Sequence, residues 1–281
     1  MNHRPSDPTE LDLARFDRLN TSPAWQVVAE SLRRKIALGL YRPGDLLPSE
    51  RQLAEGMGVS RITVREALRV LQGERLVETR RSNAGGARVR APDSRPAAEA
   101  QAELRRERAR FLHIIECRLA NEALAARLAA RLRTDAQLEA LDETMVAMAA
   151  AGRLLDERHA SGEATDDDSQ TALTEFRHQD STFHLTIAAI PANPYLYRTI
   201  EWLRSEFFTP LDLIQRSRRM QDSVGEHGAI LAAVRDRDSQ AASEAMCKHI
   251  DSTKQALHRL MEPAIAWSEP PRSASPSRRT G

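Results

Sequence analysis

The sequence predicts a mainly α chain in two parts: an N-terminal winged helix-turn-helix domain, then an all-α helical bundle. Three observations carry this expectation. Aromatic residues make up only 4% of the 281 residues and glycines number 12, while Ala, Leu and Arg abound, a composition of helix rather than sheet. Two capped amphipathic segments are separated by only Gly58-Val59-Ser60, a tight turn between helices. From residue 104 to 261, apolar residues recur at helical spacing with few breaks. With 41% apolar residues the chain can bury real cores, and its length fits one large domain or two ordinary ones.

Residues 1–22 lack a period and read as a flexible arm, without the apolar core of a signal peptide. A helix is expected from about Pro23 to Leu38, with Trp25, Val28, Leu32 and Ile36 on one side; Pro23 suits its first turn. "YRPGD" at 41–45 is a turn. Ser49 and Gln52 have capping-box spacing, and the helix they open carries Leu53, Ala54 and Met57 and stops at Gly58. Ser60 caps the next helix, which runs to about Gly73. Its core stripe is Val64, Ala67, Leu68 and Leu71, and Arg61, Arg65 and Arg69 point the other way. "LVET" and "ARVR" are short strands flanking the basic loop from Arg80 to Gly86, a wing. Residues 23–92 thus form one module, and 93–104 has the composition of a linker.

The second module is expected over 105–262, followed by a Pro/Ser/Arg-rich, disordered tail at 263–281. Phe111, Ile114, Ile115, Leu119, Ala123 and Leu124 form its first stripe. Further helices are expected near 135–151, 171–190, 194–217, 220–236 and 238–261, with an acidic loop insertion at 161–170. Cys117 and Cys247 read as core thiols, with no disulfide framework. No apolar run approaches the roughly 18 residues of a membrane span, so the expectation is a cytoplasmic protein with no membrane partner.

The net charge of +1 hides an asymmetry. Residues 23–92 hold 13 Lys and Arg against 7 Asp and Glu; from residue 93 onward the balance is 25 against 29. A basic module joined to a mildly acidic one suggests a polyanion partner for the first. On an exposed helix face after a capped turn, Arg61, Thr63 and Arg65 fit the major groove of double-stranded DNA, and Arg51 is placed to add a phosphate or base contact. The alternative for such a stripe alone is a solvated surface.

Pro48-Ser49-Glu50-Arg51-Gln52-Leu53-Ala54, followed by Gly58 through Leu68, resembles the winged-helix domain of GntR-type bacterial transcription regulators over about 70 residues. The resemblance implies operator contacts from Arg51, Arg61, Thr63, Arg65 and a wing glycine. With the cap Ser60 and the wing residues Arg80, Arg81, Gly85 and Gly86, these are the expected DNA-binding residues. The wing "RRSNAGGARVR" is longer than is common in that family, so the resemblance leaves open which of its residues reaches the groove.

Three histidines stand out in the second half. Asp180 and His184 lie four residues apart on one helical face, His227 begins a later helix, and His249 lies on the last. One carboxylate and three imidazoles can ligate a divalent transition metal and leave positions open, although scattered residues of this kind are often ordinary surface or hydrogen-bonded groups. His113, His159, His178 and His258 are read as surface or packing residues. Glu116-x-Arg118, Asp180-x-x-Phe183-His184, Glu226-His227 and His249 resemble the motifs of the FadR-type, FCD ligand domain. That resemblance implies a metal at Asp180, His184, His227 and His249, with zinc, nickel or manganese as the candidates. It also implies a small carboxylate effector facing Arg118. The whole is then expected to be a ligand-responsive regulator, a repressor by the commoner pattern, binding a near-palindromic operator as a homodimer. The alternatives are a metal-dependent hydrolase, against which no motif places an acid or base beside the cluster, and a regulator whose metal is purely structural.

Overall fold

A computed structural model describes residues 22–79, 86–91, 97–161, 167–207 and 220–262. Among these are ten helices and one two-stranded sheet. The expected arm, the wing tip with Arg80, Arg81 and Gly85, and the tail from 263 lie outside them.

In the N-terminal module, α1 (Ala24–Ala37) packs on α3 (Arg61–Gly73), which packs on α2 (Glu50–Met57). Pro23 stands at the N-cap of α1 rather than inside it. Both expected caps form. The Ser49 side chain accepts from Gln52 N while Gln52 Oε1 accepts from Ser49 N at 3.0 Å, and Ser60 Oγ accepts from Thr63 N at 3.1 Å. Gly58 ends α2 in the left-handed region, φ +66°, where a side chain would be strained. Val28, Ala29, Leu32, Leu53, Val64, Ala67, Leu68 and Leu71 are buried together, so each helix turns its predicted stripe inward. β1 (Val77–Thr79) pairs antiparallel with β2 (Ala87–Val89), Val77 opposite Val89. Leu46 bridges to Arg88, and Leu47 N donates to Ala87 O at 2.8 Å, tying the turn before α2 to the wing's base.

The segment expected as a linker at 93–104 is partly helix. α4 (Ala97–Arg106) buries Ala100 and Leu104, and Gln101 Nε2 donates to Leu260 O at 2.9 Å. An Ala/Glu-rich run with two apolar residues four apart has both the propensity and the stripe to dock on a neighbouring helix.

The bundle consists of α5 (Arg108–Leu132), α6 (Asp135–Ser161), α7 (Asp167–Ala189), α8 (Pro194–Glu206), α9 (Met220–Arg235) and α10 (Ser239–Met261). α5 packs on α10, α6 on α7, and α9 on both α6 and α10. Where α9 begins, Asp156 accepts from Met220 N at 2.8 Å and from Gln221 N at 3.1 Å. Gly152 permits this approach, since a Cβ there would meet Gln221, Met220 and Phe176 at 3.2–3.3 Å. No described helix is long and apolar enough to cross a membrane.

Several expectations are corrected. α6 and α7 reach into the supposed 161–170 insertion from both sides; Asp168 suits the first turn of α7 and takes an ion pair from Arg158 at 2.5 Å. α6 is a long helix to Ser161, not a short one to 151, because Met148, Ala151 and Gly152 continue its buried face. Leu124 is 47% exposed, Cys117 is exposed and Cys247 only half-buried. Phe111, Ile114, Ile115 and Ala123 of the expected α5 stripe are buried, but the same inner face also carries Arg118, Glu122, Ala125, Ala126 and Ala129.

Candidate functional site

Asp180 and His184 project from α7, His227 from α9 and His249 from α10. All four are buried, and one ligand atom from each lies within 4.8 Å of the others. His227 Nε2 is 3.1 Å from His184 Nε2 and 3.3 Å from Asp180 Oδ1. The scattered sequence positions are therefore one cluster, held on three packed helices.

The second nitrogens of His227 and His249 meet hydrogen-bond acceptors, and that of His184 lies against a carboxylate without forming a hydrogen bond. His184 Nδ1 lies 2.6 Å from Glu122 Oε2, His227 Nδ1 2.7 Å from Ser223 O, and His249 Nδ1 2.9 Å from Glu226 Oε2. A carbonyl or carboxylate there takes a proton from Nδ1, so the uncharged form of each ring presents a bare lone pair at Nε2. Burial pushes the His184 imidazolium down to about 3, with Arg204 adding to the effect. Burial and then His227 push His249 down to about 4. Asp180 is acceptor-only. Burial alone would raise it, but Arg204 and the neighbouring imidazoles hold it well below the usual carboxylate range. With the rings as their Nδ1–H tautomers, lone pairs of Asp180 and the imidazoles face one another, and a shared cation would relieve that repulsion. The donor set fits a divalent transition ion.

Around this cluster lies a second layer that sequence reasoning missed. Glu122 is buried and takes Arg118 Nε at 2.6 Å and Arg204 Nη1 at 3.2 Å. Arg204 Nη2 also holds Asp180 Oδ2 at 2.5 Å, leaving Oδ1 toward the imidazoles. Burial would raise Glu122, but Arg118, Arg204 and His184 outweigh it and hold its carboxyl well below the ordinary range. The only sequence signal for Glu122 was its i,i+4 relation to Arg118. Arg204 and Ser223 gave none. Arg118 lies beside the cluster, engaged by Glu122. Glu122 and Glu226, which no sequence motif placed there as an acid or base, both stand beside the cluster.

In the N-terminal module, α3 presents Arg61 and Arg65 to solvent, with Arg51 exposed on α2. Glu50 orients two of them. It takes Arg65 Nη2 at 2.9 Å and lies 3.9 Å from Arg61, and the Arg65 hydrogen bond lowers its carboxyl. Ser60 and Thr63 hydrogen-bond each other at 2.9 Å. Ser49, Arg51, Arg61, Thr79 and Gly86 line an open cleft of about 540 Å³ between the helices and the wing's base. Gly86 is thereby on the same side as the arginines.

Residues 25–87 match the family described as bacterial regulatory proteins, gntR family, and residues 113–252 match the FCD domain. The chain is 30% identical over 244 residues to the Glc operon transcriptional activator of Escherichia coli K12, spanning 84% of this chain and 89% of that protein. It is 32% identical over 240 residues to the HTH-type transcriptional repressor NanR of Klebsiella aerogenes, spanning 81% and 82%. The solved structure of E. coli McbR/YncC aligns at a TM-score of 0.45 and 19% identity, covering 86% of this chain and 100% of that one. These families and relatives are transcription regulators and not enzymes. The chain belongs to the GntR family, a ligand-responsive transcription regulator with an N-terminal DNA-binding domain and a helical FCD domain.

Proposed function

We propose that this regulator binds a near-palindromic operator as a homodimer in the cytoplasm and that a small carboxylate, bound at a divalent metal in the FCD domain, controls its DNA affinity. The observation that carries the reading is the convergence of Asp180, His184, His227 and His249 with both arginines beside them. A bound ion supplies positive charge and an open coordination position for a carboxylate oxygen. This chain's residues do the rest. Glu122, Ser223 and Glu226 fix the ring orientations, Arg204 holds Asp180, and Arg118, whose Nε is held by Glu122, pairs with the acid. The repressor sign is supported by the name of the NanR relative; the Glc relative is named an activator.

The test is metal analysis of the purified protein together with a thermal-shift screen of small organic acids, with and without the ion. About one ion per chain and a metal-dependent rise in melting temperature are expected. A protein that takes up no divalent ion when supplied ends the reading. Arg118→Lys should keep the ion and weaken the acid, because an ammonium loses the bidentate fork. Unchanged acid affinity removes Arg118 from the site.

A purely structural ion is the second reading, favoured by the burial of all four ligands on three helices. Chelation would then unfold the domain, read as lost helical circular dichroism at ordinary temperature, rather than only silence the response.

For DNA, Arg65→Ala is expected to weaken operator binding by about 1–3 kcal/mol, the cost of one lost base contact. The Glu50 pair it also loses is half-exposed and worth little by comparison. A mobility-shift titration with wild-type affinity would exclude Arg65 from readout.

A further inference from the structure

Leu38 follows the first helix of the DNA-binding module, yet it packs in the other one. Val28, Ala29 and Leu32 of α1 lie in the N-terminal core, whereas Leu38, 4% exposed, is part of the bundle core, with Leu40 resting against it. The turn after α1 is held by two bundle helices. Gly39 takes φ +70°, and a Cβ there would sit 3.6 Å from the His178 backbone. Its carbonyl accepts from His178 Nδ1 at 2.8 Å. Arg42 pairs with Glu175 at 2.6 Å, and Lys35 with Glu201 at 3.3 Å. Glu175 and His178 are on α7 with Asp180 and His184; Glu201 is on α8 with Arg204. The helices that build the ligand cluster therefore also grip the DNA-binding module.

Leu38 and Ala37 form one wall of a cavity of about 10 Å³, opposite Arg118, Arg177, Ser181 and Arg204. That is room for one water. Arg204 Nε is buried and makes no hydrogen bond among the described residues. A carboxylate head cannot enter without moving a wall. On the bundle side, the arginines are fixed by buried pairs to Glu122 and Asp180. On the other side, the pairs at Arg42 and Lys35 are about one-third exposed on the cationic side chains, and such contacts hold weakly. The α1 wall yields first.

We propose that the 38–42 turn transmits the ligand signal: Leu38 plugs the cavity beside Arg118 and Arg204, and an acid seated there expels it and releases the DNA-binding module from α7 and α8. The acid seat rests on the function proposed above; the plug and its grip do not. A docked module holds a set position relative to the bundle. A released one must be re-ordered on the operator, which lowers affinity.

The test uses the full-length protein with no acid added. The double variant Arg42→Ala/His178→Ala removes two of the three polar contacts of the grip and none of the ligand cluster, and Leu38→Trp overfills the cavity. Both should weaken operator binding about tenfold or more, within the usual range of allosteric coupling. Their divalent-ion content should equal that of the wild type, and Leu38→Met, of similar volume, should bind operator normally. If the double variant stays within about twofold of wild type, or binds tighter, the proposal is overturned. Acetate, oxalate and citrate then probe the seat separately. If none of them alters wild-type operator affinity while the variants behave as expected, the carboxylate reading falls and the plug stands.

Discussion

His184→Ala and His227→Ala each lose the bound divalent ion and the response to acid, and both retain operator binding. Each ring supplies one of four donors that lie within 4.8 Å of one another, and the carboxylates beside them are engaged, Glu122 by Arg118 and Arg204 and Glu226 by His249. Three remaining donors, one of them the carboxylate already shared with Arg204, hold an ion far more weakly. The DNA-binding residues belong to a module with its own core, so the loss of a bundle ligand leaves them folded. The truncation also removes a buried side chain, at a cost of order 2–5 kcal/mol, so melting temperature is followed alongside. His159→Ala, on an exposed residue that is not one of the four donors, is the control. Metal analysis with operator and acid titrations decides the matter. A variant free of metal that responds normally to acid sinks the coupling of ion to effector.

A chain ending near Pro92 binds the full operator about 10²–10⁴-fold more weakly than the whole protein. Linked half-site contacts make the second binding step intramolecular, and cutting the link loses that effective concentration without removing any DNA contact. The prediction depends on the dimer being held by the FCD domain. The truncated module keeps the buried set from α1, α2, α3 and the wing's base, so weak binding is not expected to reflect unfolding. Sedimentation should give a monomer. A dimeric module, or one with nearly full operator affinity, contradicts this division of labour.

The N-terminal module was legible almost residue by residue. Ser49, Gln52, Gly58 and Ser60 act within a few residues of themselves, through caps and one left-handed turn, and α3 buries its stripe at helical spacing. Such signals are local and survive in a one-dimensional reading. The ligand cluster was legible only as types and a resemblance. Asp180 and His184 share a helical face, but their meeting with His227 and His249 depends on how three helices pack. Misreadings had the same source. Leu124 fits a stripe by spacing, yet α5 turns Arg118 and Glu122 inward because charged partners on other helices satisfy them.

The amino-acid order by itself therefore determined the helical class, the capped turn, the arginine face and the four donor types. Tertiary structure alone decided that the four donors converge and that Glu122 and Glu226 stand against the rings of His184 and His249. It also decided that Arg204 grips Asp180 and that Leu38 closes the cavity from the other module. The physical reason is range. Caps and amphipathic faces are settled over one or two turns of chain, whereas a buried charge is tolerable only where partners from distant segments arrive together.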